Sequence, residues 1–291
     1  MNILVTGANG QLGSELRRLS EGCGHNFVFT DVNEIPGCET VYLDITNIDA
    51  VRIIAESERI DVIINCAAYT NVDKAEDDIA FADLLNHAAP ANLAKVAAET
   101  GAKLIHISTD YVFSGYGCTP IRETESPDPR SVYGSTKLSG EKAVEDSGCG
   151  YIIIRTAWLY SPYGKNFVKT MRHLTEVNDS IRVVYDQVGS PTYAADLAAT
   201  ILHIVLTGQM DKKGIYHFSN EGAVSWYDFA QEICSQSGNT CVIRPCLSAE
   251  FPSKVSRPHY SVLDKSLIKS TFGIEIPYWK TSLQDCIKRL K

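Results

Sequence analysis

The chain has 291 residues, 44% hydrophobic and 21% charged, the composition of an ordinary globular protein with room for one sizeable domain and a smaller second region. Lys and Arg number 27 against 35 Asp and Glu, a net charge of −8 that argues against general affinity for nucleic acid or an anionic membrane. A negatively charged ligand would therefore need a local pocket of basic side chains or backbone N–H groups.

Residues 3–5 (ILV) form a short apolar run, the pattern of a buried parallel strand. The run breaks into Gly7-Ala8-Asn9-Gly10-Gln11-Leu12-Gly13, after which Leu12, Leu16 and Leu19 recur at helical spacing. Strand, glycine turn and helix are the context of a dinucleotide-binding fingerprint. Gly7 allows the tight turn, Gly10 leaves room for a pyrophosphate, and Gly13 lets the helix sit close on the strand. The free N–H groups and partial positive charge of the helix N-terminus then face the phosphates. The spacing is G-x-x-G-x-x-G rather than G-x-G-x-x-G, so the middle glycine is displaced by one residue.

Residues 27–31 (FVFTD) read as a second strand, closed by Asp31 about twenty positions beyond the fingerprint, where a carboxylate accepts from both ribose hydroxyls. The plainer alternative for Asp31 is a turn cap. Residues 41–44 read as a third strand, with Asp44 and Ile45 either bordering the adenine or serving the turn. A helix at 47–57 precedes a fourth strand, 61–68, whose small terminal residues Ala67 and Ala68 would let a cofactor lie across it. One long helical stretch is expected over 75–100, with Asn86 either satisfying a kink or facing solvent. The fifth strand, 103–108, ends in Ser108-Thr109-Asp110-Tyr111, and a loop at 119–129 leads to a helix at 131–146 and a sixth strand at 151–156. This alternation predicts a doubly wound parallel α/β sheet.

Beyond Trp158 the order loosens. Residues 160–165 read as a crossing into a second region, 166–176 as a helix, and 183–184 and 215–218 as strands returning to the sheet around a helix at 194–206. Further helices are expected at 226–237, 265–271 and 282–290, with a strand at 242–244. The domain expectation is thus 1–160 for the dinucleotide, with 181–218 returning to it, and 161–180 plus 219–291 for the substrate. No charged and apolar leader precedes the first strand, the apolar helix candidate at 198–206 is interrupted by His203, and nine cysteines occur without a C-x-x-C pair. A cytoplasmic protein with reduced, mostly buried thiols is expected.

Tyr133 and Lys137 stand four apart, one helical turn, and so on one face. A Lys ammonium there would favour the phenolate of a Tyr whose ordinary pKa is about 10. Tyr133 could then exchange a proton with a carbonyl oxygen while hydride moves at carbon, with Thr109 holding that oxygen. Y-x-x-x-K alone is a weak signal; its position after the glycine turn and the Ser-Thr strand end makes it a strong one.

These residues, together with NCAAYTNVDKAE (65–76), STDYVF (108–113), VYGSTKLSGE (132–141), RTAWLY (155–160), NFVKTM (166–171), DQVGSPT (186–192) and SRPHYS (256–261), resemble the extended short-chain dehydrogenase/reductase family over essentially the whole chain. The branch resembled acts on dTDP-sugars. The resemblance implies reduction of a 4-keto-6-deoxy sugar nucleotide, dTDP-4-dehydrorhamnose, by NADPH or NADH. It implies Thr109, Tyr133 and Lys137 as the catalytic triad. Cofactor contacts are implied at Gly7, Asn9, Gly10, Gln11, Leu12, Gly13, Asp31, Asp44, Ile45, Ala67, Ala68 and Tyr69, besides Tyr133 and Lys137. Substrate contacts are implied at Asp110, Tyr111 and Trp158; Asn166 stands equally as a helix cap or a diphosphate contact, and Arg257 as the best charge partner for a phosphate or a loop pin. Some members hold Mg²⁺ between subunits, but the carry-over is poor and no metal is expected. His106 reads as a satisfied core histidine and Cys66 as a small filler.

Two other functions compete. An epimerase or dehydratase on the same scaffold is one, but dehydratases resemble Asp-Glu after the threonine, where this chain has Asp110-Tyr111. A non-catalytic regulatory partner resembling the methionine adenosyltransferase β subunit is the other, and the intact Thr109, Tyr133 and Lys137 weigh against it. The expected partners are a dTDP-sugar and no nucleic acid or membrane, with a homodimer as the assembly to test.

Overall fold

Ile3, Leu4 and Val5 are fully buried because β1 (Asn2–Thr6) lies inside a sheet covered on both faces. In the computed structural model, which describes residues 1–251 and 253–290, β1 passes through the glycine turn into α1 (Gln11–Ser20). Then come β2 (Asn26–Asp31), β3 (Val41–Tyr42), α2 (Ile48–Ser57) and β4 (Val62–Asn65). The chain continues through α3 (Val72–Ala75), α4 (Ile79–Asp83), α5 (Ala89–Thr100), β5 (Lys103–Thr109), α6 (Val132–Asp146) and β6 (Gly150–Thr156). After β7 (Leu159–Tyr160) follow α7 (Phe167–Val177), β8 (Ser180–Val184), β9 (Val188–Gly189) and β10 (Thr192–Tyr193). Next are α8 (Ala194–Leu206), β11 (Gly214–Phe218), β12 (Val224–Ser225), α9 (Trp226–Ser237) and β13 (Val242–Cys246), before α10 (Ser266–Phe272) and α11 (Trp279–Arg289).

The main sheet has seven parallel strands in the order β3-β2-β1-β4-β5-β6-β11. Alternate residues serve its two faces. Ile3, Val5, Ile64, Ile105 and Ile152 pack with Leu12 and Leu16 of α1 and Leu197 and Ile201 of α8. Leu4, Ile63, Leu104 and Ile153 pack with Val51 of α2, Leu93 and Val96 of α5 and Val144 of α6. The order reverses between β1 and β4, which opens a crevice at the carboxyl ends of the strands. A separate core joins Val168 and Met171 of α7, Phe229 and Ile233 of α9, and Leu283 and Ile287 of α11, with Tyr160 and Tyr193 stacked beneath.

Two expectations need correction. Val183 and Val184 do not return to the sheet. β8 pairs in parallel with β13, and Val183 packs into the second core; only β11 rejoins, beside β6. The helix expected over 75–100 starts later, at Ile79, and runs unbroken to Thr100 as α4, a π turn at Leu84–Ala88 and α5, so of the two alternatives for Asn86 the kink is the one found. At the π turn the buried Asn86 amide accepts from Tyr69 N at 2.9 Å and donates to Tyr69 O at 3.1 Å and to Thr136 Oγ1 at 3.2 Å, and Pro90 has no N–H to give the Asn86 carbonyl. Widening the helix there lets its backbone meet α6, where any Cβ on Gly140 would sit 2.1 Å from Asn86 O. Among the described residues no helix is long and apolar enough to cross a membrane. All nine cysteines are free, with Cys38 and Cys118 exposed.

Candidate active site

The glycine turn is shaped by contact rather than by flexibility. Gly7 has φ +63°, and a Cβ there would lie 2.6 Å from the backbone N of Ala67 at the end of β4. A Cβ on Gly13 would lie 2.5 Å from Gly7 O. Gly10 caps α1 without a side-chain bond, so the first N–H groups of that helix stay open toward the crevice. The close packing of Gly7 and Gly13 against backbone fixes the turn, and the open N–H groups that follow Gly10 fit a pyrophosphate. Leu12 enters this site only through backbone, because its side chain is in the core. Gln11 faces the second region: its Oε1 accepts from Ser161 Oγ at 3.0 Å and Asn166 Nδ2 at 2.9 Å.

At the end of β2, Asp31 accepts from Asn9 N at 3.0 Å through Oδ2 and from Asn33 N at 2.9 Å through Oδ1. Asp44 turns Oδ1 to Thr46 N and Oγ1, at 2.9 and 2.7 Å, while Ile45 is buried against α2 and α5. Thus the turn alternative for Asp44 is filled by one oxygen. Ala67 and Ala68 are half-buried at the end of β4, and Tyr69 is pinned through its backbone by Asn86, with its hydroxyl buried and unpartnered among the described residues.

Ser131 caps α6 by accepting Gly134 N at 3.0 Å, and Glu76 accepts Val132 N at 2.8 Å, so the first turn of α6 is held from two sides. That turn carries Tyr133 to the neighbourhood of Thr109 at the end of β5. Thr109 Oγ1 also lies 3.0 Å from Asp110 Oδ1, and Tyr111 packs edge-on against Tyr133 with centroids 5.5 Å apart. One turn further, Lys137 donates to Ile107 O at 2.6 Å.

Lys137 is expected to favour the Tyr133 phenolate, and burial works in the opposite direction. Burial pushes the Tyr133 phenol up to about 12, with Thr109 acting to lower it. Burial also brings Lys137 down to about 8, partly offset by Glu141. The ammonium is turned to the Ile107 carbonyl, and desolvation dominates at the phenol. Tyr133 therefore stands as a neutral acid. Asp110 is buried, and desolvation raises it to about 6 against the hydrogen bond from Thr109; its Oδ2 has no partner among the described residues. His106 is only half satisfied: Nδ1 meets Asn65 Nδ2 at 3.0 Å, Nε2 has no partner among the described residues, and burial holds the ring neutral. Burial pushes the Cys66 thiol up, away from nucleophilic use.

The proposed sugar side is less uniform. Trp158 has φ +49° and stacks on Trp226 at 3.5 Å between centroids and 10° between planes. One face of the expected platform is thus already covered. Asn166 is a helix cap: Oδ1 accepts Lys169 N at 3.1 Å, and Nδ2 is shared among Gln11 Oε1, Ser161 O and Tyr163 O. Its amide is committed within the chain, which favours the cap over the diphosphate contact. Arg257 pairs with Asp73 Oδ2 at 2.7 Å, joining the carboxyl-terminal loop to α3. Trp226 had no local signal in the sequence, and Asp73 stands within the 65–76 motif without a role of its own. Glu141, one turn beyond Lys137, had a local signal: it pairs through both oxygens with Arg155, at 2.9 and 2.6 Å, and accepts from Ser108 Oγ. Among the described residues no three His, Cys, Asp or Glu side chains are grouped to hold a metal ion.

Comparison with known proteins places this geometry in context. The family model described as the RmlD substrate binding domain matches residues 1–291. The dTDP-4-dehydrorhamnose reductase of Aggregatibacter actinomycetemcomitans is 38% identical, over 97% of each chain. The crystal structure of a dTDP-4-dehydrorhamnose reductase from Clostridium acetobutylicum is 43% identical, with a TM-score of 0.93 covering 100% of this chain and 99% of that one. A Bacillus anthracis dTDP-4-dehydrorhamnose reductase, solved in complex with NADP, is 36% identical with a TM-score of 0.91 over 99% of both chains.

Proposed function

The chain belongs to the RmlD substrate binding domain family, and from that premise we infer that it reduces dTDP-4-dehydro-β-L-rhamnose to dTDP-L-rhamnose with NADPH or NADH, in dTDP-rhamnose biosynthesis. What supports this most is that Thr109, Tyr133 and Lys137 gather at the carboxyl end of β5, on the same edge of the sheet as the glycine turn that follows β1 and separated from it by β4. The dinucleotide, when bound, supplies the hydride that reaches the C4 carbonyl carbon. Thr109 holds the carbonyl oxygen, and Tyr133 gives it the phenolic proton as the carbon–oxygen double bond becomes an alcohol. The Lys137 ammonium then stabilises the phenolate left behind and reaches the nicotinamide ribose. A phenol that stays protonated through neutral pH suits this direction, since reduction needs an acid.

Residues 1–160, with α8 and β11 returned to them, are proposed to hold the dinucleotide, and 161–180 and 219–291 the sugar nucleotide. Gly7, Asn9, Gly10, Gln11, Gly13, Asp31, Ala67, Ala68 and Tyr69 line the cofactor side; Asp110, Tyr111 and Trp158 line the sugar side. A cytoplasmic location and a homodimer belong to the same proposal, and sedimentation measures the second. Supplying dTDP-4-dehydrorhamnose with NADPH or NADH tests the function. Stoichiometric cofactor oxidation and formation of dTDP-rhamnose are expected. Sugar conversion without net oxidation would mean an epimerase or dehydratase, and no conversion would mean a regulatory role.

Arg257 provides a second test. A nucleotide diphosphate brings negative charge into an acidic protein, and an ion pair as exposed as Arg257–Asp73 contributes little to folding. The guanidinium can therefore exchange Asp73 for the diphosphate at small cost. Arg257→Ala is expected to weaken sugar-nucleotide binding by about 1.5–3 kcal/mol, the range for a hydrogen bond to a charged group, and to leave cofactor affinity unchanged. Calorimetry with each ligand separately checks it; no weakening of either leaves Arg257 as a loop pin.

A further inference from the structure

We infer that Arg17 is the residue that receives the 2′-phosphate of NADPH, opposing Asp31, so that this chain's choice between the two cofactors is a balance of these two side chains. Arg17 stands on α1, and its guanidinium lies over the ring of Phe29 at 4.2 Å, two residues before Asp31 on β2. It donates to Glu39 O at 2.5 Å and Thr40 Oγ1 at 3.1 Å, and approaches Asn9 Oδ1 at 3.5 Å. Asn9 is the link to the acidic side, because its backbone N–H is bonded to Asp31 Oδ2 and its amide donates to Asn33 O at 2.6 Å. Arg17, Asn9, Asp31 and Thr40 therefore ring the carboxyl end of β2. In a doubly wound fold that is where the adenosine ribose sits, and where an acid selects the free hydroxyl or an arginine the phosphate.

The charges favour a ligand there. Every acceptor that Arg17 meets is neutral, and among the described residues no carboxylate lies within ion-pair distance of it; its neighbour Arg18, by contrast, pairs with Glu15 at 2.9 Å. The guanidinium keeps N–H donors beyond those these bonds use, in the planar fork that matches phosphate. Stacking on Phe29 fixes that fork before any ligand arrives, which limits the entropy lost on binding. On the other side, both Asp31 oxygens already accept N–H groups of Asn9 and Asn33, which mutes the repulsion of a 2′-phosphate without removing it. A chain with Asp31 alone would reject NADPH. With Arg17 beside it, both dinucleotides can be held.

This rests on the glycine turn being a dinucleotide site, and not on the identity of the sugar. The experiment is calorimetry of the full chain with NADP⁺, NAD⁺ and adenosine 2′,5′-bisphosphate, in the wild type, Arg17→Met, Arg17→Lys and Asp31→Ala. Arg17→Met keeps the stem over Phe29 and removes the charge. It is expected to weaken NADP⁺ and the bisphosphate by about ten- to one-hundred-fold, the loss of a charged hydrogen-bonded contact, with NAD⁺ unchanged as the control for folding. Arg17→Lys should recover part of the loss, and Asp31→Ala should tighten NADP⁺ relative to NAD⁺. Equal weakening of NADP⁺ and NAD⁺ by Arg17→Met, or no change in either, overturns the assignment. Failure of both dinucleotides to bind the wild type would overturn the dinucleotide site itself.

Discussion

Tyr133→Phe is expected to lower turnover by about 10²–10⁴-fold, the contribution of a positioned general acid, while cofactor binding stays as it was. The phenyl ring keeps its edge contact with Tyr111 and its place on a turn fixed by Ser131 and Glu76, so only the proton is lost. Near-normal turnover in this variant would sink the role of Tyr133. The pH dependence gives a second readout of the same machinery. Tyr133 holds its proton up to about 12 and so does not limit the rate near neutrality, whereas Lys137 loses its charge at about 8. Above that pH the phenolate formed at the transition state has no cation beside it. A plot of kcat/KM, which reports the free enzyme, is therefore expected to fall on the alkaline side from about 8. Lys137→Met should abolish that limb and lower the plateau, because the variant lacks the charge at every pH.

Where the sequence was readable, a local pattern and the tertiary fold agreed. Ile3, Leu4 and Val5 sit between two helix layers, and the glycines after them are required by contacts with Ala67 and Ala8 that any side chain would violate. The spacing of Tyr133 and Lys137 survives because Ser131 starts the helix where the serine stands. The misses have a different origin. The π turn at Asn86 serves partners at Tyr69 and Thr136, distant in sequence, and falls where Pro90 has no N–H to give the Asn86 carbonyl. The run at 183–184 has the apolar character of a sheet strand, yet its pairing partner, β13, lies far along the chain. The Trp158–Trp226 stack and the Arg257–Asp73 pair likewise join residues that no periodicity relates. Spacing reports that Lys137 is near Tyr133, but not that its ammonium is bound to Ile107 or that the phenol is desolvated.

The buried pair behind the triad carries the largest expected effect on stability. Glu141 and Arg155 are essentially inaccessible to water and joined by two hydrogen bonds, from Arg155 Nε to Oε1 and from a terminal nitrogen to Oε2. Arg155 Nη1 has no partner among the described residues, so Glu141 is the carboxylate hydrogen-bonded to the guanidinium, with Glu123 acting on it from farther away and the Phe113 ring 5.0 Å off. Removing the carboxylate leaves a charge in a medium that cannot hydrate it. Glu141→Gln is expected to cost about 3–5 kcal/mol, the penalty for stranding one partner of a buried ion pair, read as a lower urea midpoint with an unchanged slope. Arg155→Met strands Glu141 in the same way and should cost a similar amount. The double variant should lose much less than the sum, since no buried charge is left over. Additive losses would show that the two side chains contribute to the fold independently rather than as a pair. Because Glu141 also receives Ser108 Oγ and lies one turn from Lys137, the single Glu141 variant should in addition move the alkaline limb of kcat/KM to lower pH. The carboxylate raises the lysine's pKa, and a Lys137 without it loses its proton sooner.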